Sequence, residues 1–174
     1  MSPTIYAALV DSLFMNPAPM IFGAFGPAIA AAVVASVTGD VWCWLSVPLF
    51  IAVGVARAYQ MYRYKRRDAG LTVSEAVVWE KRYRLGAIAY GLALGIWGVT
   101  VLMRTDDAAA HMLCVTTVVA YTSGGVGRTF GRPNIFHLQV LLGCGPVFVA
   151  LIAFGGIYYY ALALLSFVFF AAIR

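Results

Sequence analysis

The sequence predicts an all-α membrane protein built as a bundle of six transmembrane helices. Three observations lead to this fold class: 63% of the residues are hydrophobic, only 11% are charged, and the mean hydropathy is +0.87. A soluble domain of 174 residues has too much surface for that composition, whereas a bundle surrounded by lipid tails requires it. A membrane-spanning barrel would instead show short alternating segments, which this sequence lacks.

The first nineteen residues are predicted to form a short amphipathic helix that lies in the cytoplasmic interface of the membrane. Its apolar residues recur at helical spacing until Asn16, Pro17 and Pro19 interrupt the pattern. These apolar residues are Ile5, Tyr6, Leu9, Val10, Leu13 and Phe14. A frayed tail is the alternative interpretation of residues 1–19.

Six apolar runs follow, and each is long enough to cross about 30 Å of hydrocarbon, which takes roughly 20 residues. They cover residues 20–38, 41–62, 85–103, 108–126, 135–154 and 157–173. Thr72 and Glu75 have the spacing of a capping box, so we expect a helix to begin there and to continue into the third span. Pro133 is expected to begin the helix of the fifth span.

The basic residues orient this bundle, because Lys and Arg favour cytoplasmic loops. With both termini in the cytoplasm, eleven of the twelve basic residues lie on the inner side and only Arg104 lies outside. The net charge of +5 therefore indicates topology. It also favours anionic lipid headgroups at the inner face, and it is not read as a sign of nucleic-acid binding.

Small residues indicate where the helices touch one another. Gly91 and Gly95 form a GxxxG pair in the third span, and Ala24, Ala28 and Ala32 form a similar row in the first. Close packing within the bundle is the favoured interpretation of both rows, and a dimer seam is the alternative.

The two histidines are too far apart to hold one haem. His111 lies at the outer end of the fourth span and His137 at the inner end of the fifth, so at 1.5 Å per residue their depths differ by roughly 20 Å. An outer copper or zinc site formed by His111, Cys114 and Cys43 is the lesser alternative to buried cysteines and an interfacial histidine. No tightly bound cofactor is expected, and haem colour or stoichiometric copper would overturn that expectation.

Ionisable residues inside the hydrocarbon usually mark transport or catalysis. Here nearly all carboxylates lie in loops or at interfaces, and Arg57 is the one basic residue within a span. We expect its side chain to snorkel to the inner surface or to pair with a neighbour. The sequence contains no proton relay, no acid paired with a base and no nucleophile beside a base, so it supports neither a proton-coupled transporter nor an enzyme.

The glycine-rich stretch TSGGVGRTFGRPN, residues 122–134, joins the fourth and fifth spans. It does not fit a phosphate-binding loop, because no strand precedes its glycines and no GK[ST] sequence follows them. We interpret 122–126 as the end of a helix and 127–134 as an inner loop. A ligand or a lipid headgroup would be expected at Tyr121, Arg128, Arg132 and His137. The favoured alternative is that these four residues cap and orient helices.

The chain also contains, in this order, the segments LVDSLF, ARAYQMYRY, WEKRYRLGAIAYGLALGIW, GRTFGRP and FFAAIR. Together they resemble the N-terminal membrane region of alphaproteobacterial GGDEF–EAL proteins, which make or degrade cyclic di-GMP in cytoplasmic domains. The resemblance implies a six-span module of the bacterial inner membrane, similar to the membrane-associated sensor domains called MASE. Neither a GGDEF nor an EAL sequence is present, so no catalytic residue carries over and the chain is expected to be non-enzymatic.

The resemblance implies a sensory and dimerising input domain, with its effector domain expected to follow residue 174. In this family a diguanylate cyclase works as a dimer, so we expect a homodimer whose last span lies near the two-fold axis. A small transporter or channel is one alternative, but its polar path would depend on small or hydroxylated residues alone. A passive membrane anchor is the other, and the sequence does not separate it from a sensor.

Overall fold

The computed structural model describes residues 2–15, 18–67, 71–129 and 133–172. Within those ranges the chain forms seven α-helices and no strand, so the predicted all-helical fold is confirmed. The helices are α1 (Pro3–Ser12), α2 (Ala18–Thr38), α3 (Val41–Lys65), α4 (Val73–Arg104), α5 (Ala108–Thr129), α6 (Pro133–Phe154) and α7 (Ile157–Ala172).

Three of these helices, α3, α4 and α6, are long and apolar enough to cross a membrane. Two shorter apolar helical stretches lie at Phe22–Thr38 in α2 and at Ile157–Ala171 in α7. Large apolar side chains cover much of the outer surface, among them Phe22, Ile29, Leu141, Val149, Leu164 and Phe167. An apolar surface of this extent is typical of a protein whose solvent is lipid.

The helix ends follow the capping residues of the sequence. The predicted capping box is confirmed: the backbone N–H of Thr72 donates to Glu75, and that of Glu75 donates to the Thr72 hydroxyl. Pro133 begins α6, also as predicted. The predicted loop over 127–134 is too long, since α5 continues to Thr129. No proline precedes Pro133 in this stretch, so nothing breaks the helical hydrogen bonds earlier.

Helix α4 lies at the centre of the bundle and makes its most extensive contact with α6. A Cβ atom added at Gly91 would lie 3.3 Å from the Gln139 carbonyl oxygen of α6. One added at Gly95 would collide with the carbonyl oxygen of Leu142. The GxxxG pair therefore brings α4 and α6 of the same chain into backbone contact.

Helix α1 packs against the C-terminal end of α3 and the N-terminal part of α4. Phe14, just after α1, stacks on Tyr64 with ring centroids 3.9 Å apart and meets Tyr83 edge-on at 5.6 Å. Asp11 accepts hydrogen bonds from the Tyr64 hydroxyl at 2.5 Å and from Arg67 at 2.8 Å. The N-terminal segment is thus helical and packed against the bundle, not frayed.

Candidate functional site

Arg57 is buried between α3, α4 and α5, although the sequence allowed its side chain to snorkel. Arg57 lies on α3, and only 4% of the residue is exposed. Nη1 donates a hydrogen bond of 2.5 Å to the hydroxyl of Tyr121 on α5. The guanidinium carbon lies 5.6 Å from the ring centre of Tyr83 and 5.7 Å from that of Tyr90, both on α4. Arg57 therefore pairs with neighbours inside the bundle.

No carboxylate balances this buried charge within the part of the chain that the structure describes. The described residues form two ion pairs, Arg67 with Asp11 and Arg104 with Asp40, and these lie at opposite ends of the bundle. An arginine stays protonated in proteins, and a buried charge is normally paired with an opposite one. Arg57 instead has a phenol oxygen and two ring faces as partners, and each cation–π contact contributes about 2 kcal/mol or more in a dry site.

The aromatic partners of Arg57 are themselves held in place. The ring of Tyr121 stacks on that of Tyr90 with centroids 4.5 Å apart. The Tyr90 hydroxyl donates to the Ala24 carbonyl oxygen of α2 at 2.5 Å. Gly86 leaves room for the arginine, because a Cβ atom there would lie 3.3 Å from Arg57 Cγ. We call Arg57, Tyr83, Tyr90 and Tyr121 the Arg57 cluster.

A groove of about 350 Å³ runs beside this cluster, between α2 and α5. We call it the α2–α5 groove. It opens on the lateral surface of the bundle, along α2, where Phe22 and Gly26 are exposed. Its lining is formed by Phe22, Gly23, Gly26, Pro27, Thr116, Thr117, Ala120 and Tyr121. Tyr121 therefore belongs to both features: its side chain lines the groove, and its hydroxyl bonds Arg57 behind it.

The predicted ligand residues do not all come together. Tyr121 is at the groove, whereas His137 is exposed near the N-terminal end of α6, with its ring 6.0 Å from that of Phe136. Arg128 lies in the last turns of α5, but its side chain is outside the described residues, as is the whole of Arg132. Arg57 was not among the residues predicted to bind a ligand. Its position as the one basic residue within a span was the available signal.

His111 is buried inside the bundle, in the first turn of α5. It is 1% exposed, because Phe154 and Tyr159 cover its ring at centroid distances of 5.0 and 5.6 Å. Nε2 lies 2.9 Å from the Thr105 carbonyl oxygen, which can only accept, so this nitrogen carries the proton. Nδ1 forms a hydrogen bond with the Tyr159 hydroxyl at 2.8 Å. His111 thereby connects the turn before α5 to α7.

The proposed outer metal ligands do not form a recognisable site. Cys43 and Cys114 are free, buried thiols in the same apolar core. A metal at His111 would have to displace Thr105 or Tyr159 from its ring nitrogens. Across the residues with described positions, no group of three or more His, Cys, Asp or Glu side chains could hold a metal ion.

The end of the bundle opposite α1 carries an ion pair between a turn and a helix end. Asp40 caps α3 by accepting hydrogen bonds from the backbone N–H groups of Trp42 and Cys43. The Arg104 side chain at the end of α4 bonds the same carboxylate at 3.1 Å. That hydrogen bond is the main reason why the pKa of Asp40 lies below its usual value. The pair thus joins the α2–α3 turn to the end of α4.

These features define a class: an apolar helical bundle of membrane type in which an arginine is buried between three helices without a carboxylate partner among the described residues. Comparison with known proteins adds no narrower assignment, since no protein-family model, curated protein or solved structure matches the chain. The resemblance to the membrane region of GGDEF–EAL proteins therefore stays a prediction.

Proposed function

We propose that this chain is a membrane-embedded sensory and dimerising input domain that controls a cytoplasmic cyclic di-GMP enzyme domain following residue 174. The observation that carries the proposal is the position of α7 at the edge of the bundle, against α6. Over residues 157–171 Ala163 is the one buried residue. A helix with so much free apolar surface is suited to pack against the same helix of a second copy.

The proposed topology has six spans, with both termini in the cytoplasm of a bacterial cell and the bundle in its inner membrane. Its support is the separation of charge along the bundle. The basic residues at the end of α3 and the start of α4 lie at the same end as α1, whereas Arg104 lies at the other. In this orientation the basic end meets anionic lipid headgroups, and α1 lies at the cytoplasmic interface.

The input would reach the effector through α7. The hydrogen bond between His111 and Tyr159 links the outer α4–α5 turn to the first turn of α7, and α7 leads towards the effector domain. A signal shifts such a system only when it binds two packings of the bundle with different affinities. The proposed two packings differ in how α7 of one copy lies against α7 of the other.

Disulfide cross-linking along α7 tests the dimer. The three native cysteines are first replaced by alanine, and single cysteines are then placed at each position from 161 to 172. We expect cross-links to recur at helical spacing on the exposed face that includes Leu164, Leu165 and Val168. Ala163 is the matched control, because it is buried within the bundle and should not cross-link. Cross-linking yields that do not recur at helical spacing would contradict the proposed dimer.

A second experiment separates a sensor from a passive anchor. A reporter domain that is active only as a dimer is fused after residue 174, and its output is compared between the parent chain and Tyr159→Phe. A sensory domain should change its output when the link between His111 and α7 is weakened, whereas an anchor should not. Impermeant thiol labelling of single cysteines at Asp106 and Ala108, against Arg66 and Ser74, tests the proposed sides of the membrane in intact cells.

A further inference from the structure

We propose that the α2–α5 groove and the Arg57 cluster form one binding site for a long-chain carboxylic acid. In this site the apolar chain lies in the groove. The carboxylate takes the place of the Tyr121 hydroxyl, which separates the groove from Arg57, and pairs with the guanidinium. Such a ligand would supply the input of the proposed sensory domain. The site itself depends only on residues of one chain, so it stands whether or not α7 forms a dimer.

The charge of Arg57 sets the chemistry of the head group. The guanidinium presents five N–H donors in a planar fork that fits a carboxylate with two parallel hydrogen bonds. Its hydrogen bond to a neutral partner, the Tyr121 hydroxyl, is a single one, and no carboxylate of the described chain is paired with it. A bound carboxylate would give this buried cation the counter-charge that the described residues do not provide.

The groove sets the chemistry of the rest of the ligand. Its lining is mainly apolar, and its volume of about 350 Å³ is within the range of small-molecule sites. Glycines keep it open: a Cβ atom added at Gly26 would have nothing within 4 Å, and one added at Gly23 would meet the Tyr121 ring at 3.6 Å. Because the groove opens on the lipid-facing surface, its ligand would enter from the bilayer.

Depth distinguishes a free acid from a phospholipid headgroup. Arg57 precedes Lys65, the last residue of α3, by eight residues, so it lies about 12 Å along the helix axis from the inner end. A phospholipid headgroup belongs at the interface, and drawing it to that depth would desolvate it. A single-chain acid can enter in its neutral, protonated form and ionise beside the arginine.

The test uses the 174-residue chain in nanodiscs of zwitterionic phosphatidylcholine, labelled with a photoactivatable palmitic acid and read by intact-protein mass. Palmitic acid should compete with the probe at least about tenfold better than its methyl ester, which is the size of one charge-assisted hydrogen bond. Labelled peptides should map to α2 or α5. Equal competition by acid and ester would overturn the carboxylate, and stronger competition by phosphatidylglycerol than by the acid would overturn the single-chain ligand.

Two pairs of variants locate the site. A Cβ atom at Gly26 meets open space, so Gly26→Leu should extend its side chain into the groove and reduce labelling about tenfold. Gly124→Leu is its matched control, since it also meets open space but lies outside the groove lining, and it should leave labelling unchanged. Arg57→Gln should abolish the preference for acid over ester, and Arg57→Lys should keep part of it. Labelling that is insensitive to Gly26→Leu would show that the probe binds elsewhere and would refute the site.

The acid and ester competition on the unmodified chain decides the carboxylate even where Arg57→Gln does not fold. Failure of cross-linking along α7 would remove the proposed dimer and leave these binding results untouched. Failure of acid binding would remove the ligand and leave the dimer standing.

Discussion

Helices α4 and α7 are both apolar, yet they occupy opposite environments. Helix α4 begins with charged residues but buries Tyr90 and Trp97 completely, whereas the uncharged α7 buries Ala163 alone among residues 157–171. The difference lies in small residues at helical spacing. Gly91, Gly95 and Gly98 let α4 approach α6 at backbone distance, and α7 carries no such row of glycines. Close packing at small residues, and not apolar content, decides which helix is central. Apolar content cannot decide it, because lipid tails surround an apolar helix as favourably as other helices do.

The largest expected effect comes from removing the main side chain of the α4 core. Trp97→Ala should destabilise the bundle by about 3–5 kcal/mol, since it leaves a cavity at a fully buried site. Ile157→Ala on α7 should cost less than about 0.5 kcal/mol, because Ile157 is 78% exposed. Unfolding in mixed micelles with increasing SDS measures both.

A third variant, Trp97→Phe, tests whether volume or hydrogen bonding matters at this site. The indole N–H of Trp97 is buried without a hydrogen-bond partner in the described chain. The phenylalanine variant should therefore lose much less stability than the alanine variant. Equal losses for Trp97→Ala and Ile157→Ala would contradict the contrast between the two helices.

Adding one methyl group to the α4–α6 contact is the next largest change. Gly95→Ala should destabilise the bundle by about 1–3 kcal/mol, because its Cβ collides with the backbone carbonyl of Leu142. Gly124→Ala meets open space and should instead stabilise its helix by up to about 1 kcal/mol. The same SDS titration compares them, and a neutral Gly95→Ala would show that α4 and α6 do not pack this closely.

The link between α7 and the bundle should have a smaller effect on stability. Tyr159→Phe removes the hydroxyl that bonds Nδ1 of buried His111, which should cost about 1–2 kcal/mol. Tyr158→Phe is the control, because Tyr158 is 82% exposed and should tolerate the change. If both variants unfold at the same SDS fraction as the parent chain, the hydrogen bond does not anchor α7.

The smallest expected effect is on the pH dependence of stability. The hydrogen bond from Arg104 lowers the pKa of Asp40 in the folded chain, so the carboxylate stabilises the fold above its unfolded pKa of about 4. That contribution is lost as the pH falls through the lower, folded pKa. Asp40→Asn should flatten the stability profile below about pH 4, and Arg104→Gln should remove most of the same effect. Profiles that match the parent chain in both variants would argue against the pair.

The sequence predicted the local features of this fold well, and it predicted the contacts between helices less well. Thr72 with Glu75 and Pro133 act on their own neighbours, so the starts of α4 and α6 could be predicted from spacing. The bond between Arg57 and Tyr121 joins residues 64 apart, and it depends on how α3 and α5 pack. Tyr83 and Tyr90 lie two turns apart on one face of α4, a pattern that would have pointed to an aromatic surface but not to the cation it faces.

The packing of α1 has a consequence for the order in which the chain can mature during synthesis. The hydroxyl of Tyr6 bonds Glu80, which is 74 residues further along the chain, and Asp11 bonds Tyr64, which is 53 residues further. At about 5–20 residues per second the ribosome needs roughly 4–15 s between Tyr6 and Glu80. Helix α1 must therefore wait, with its apolar face open to lipid or to a chaperone, until the helix that receives it has been made.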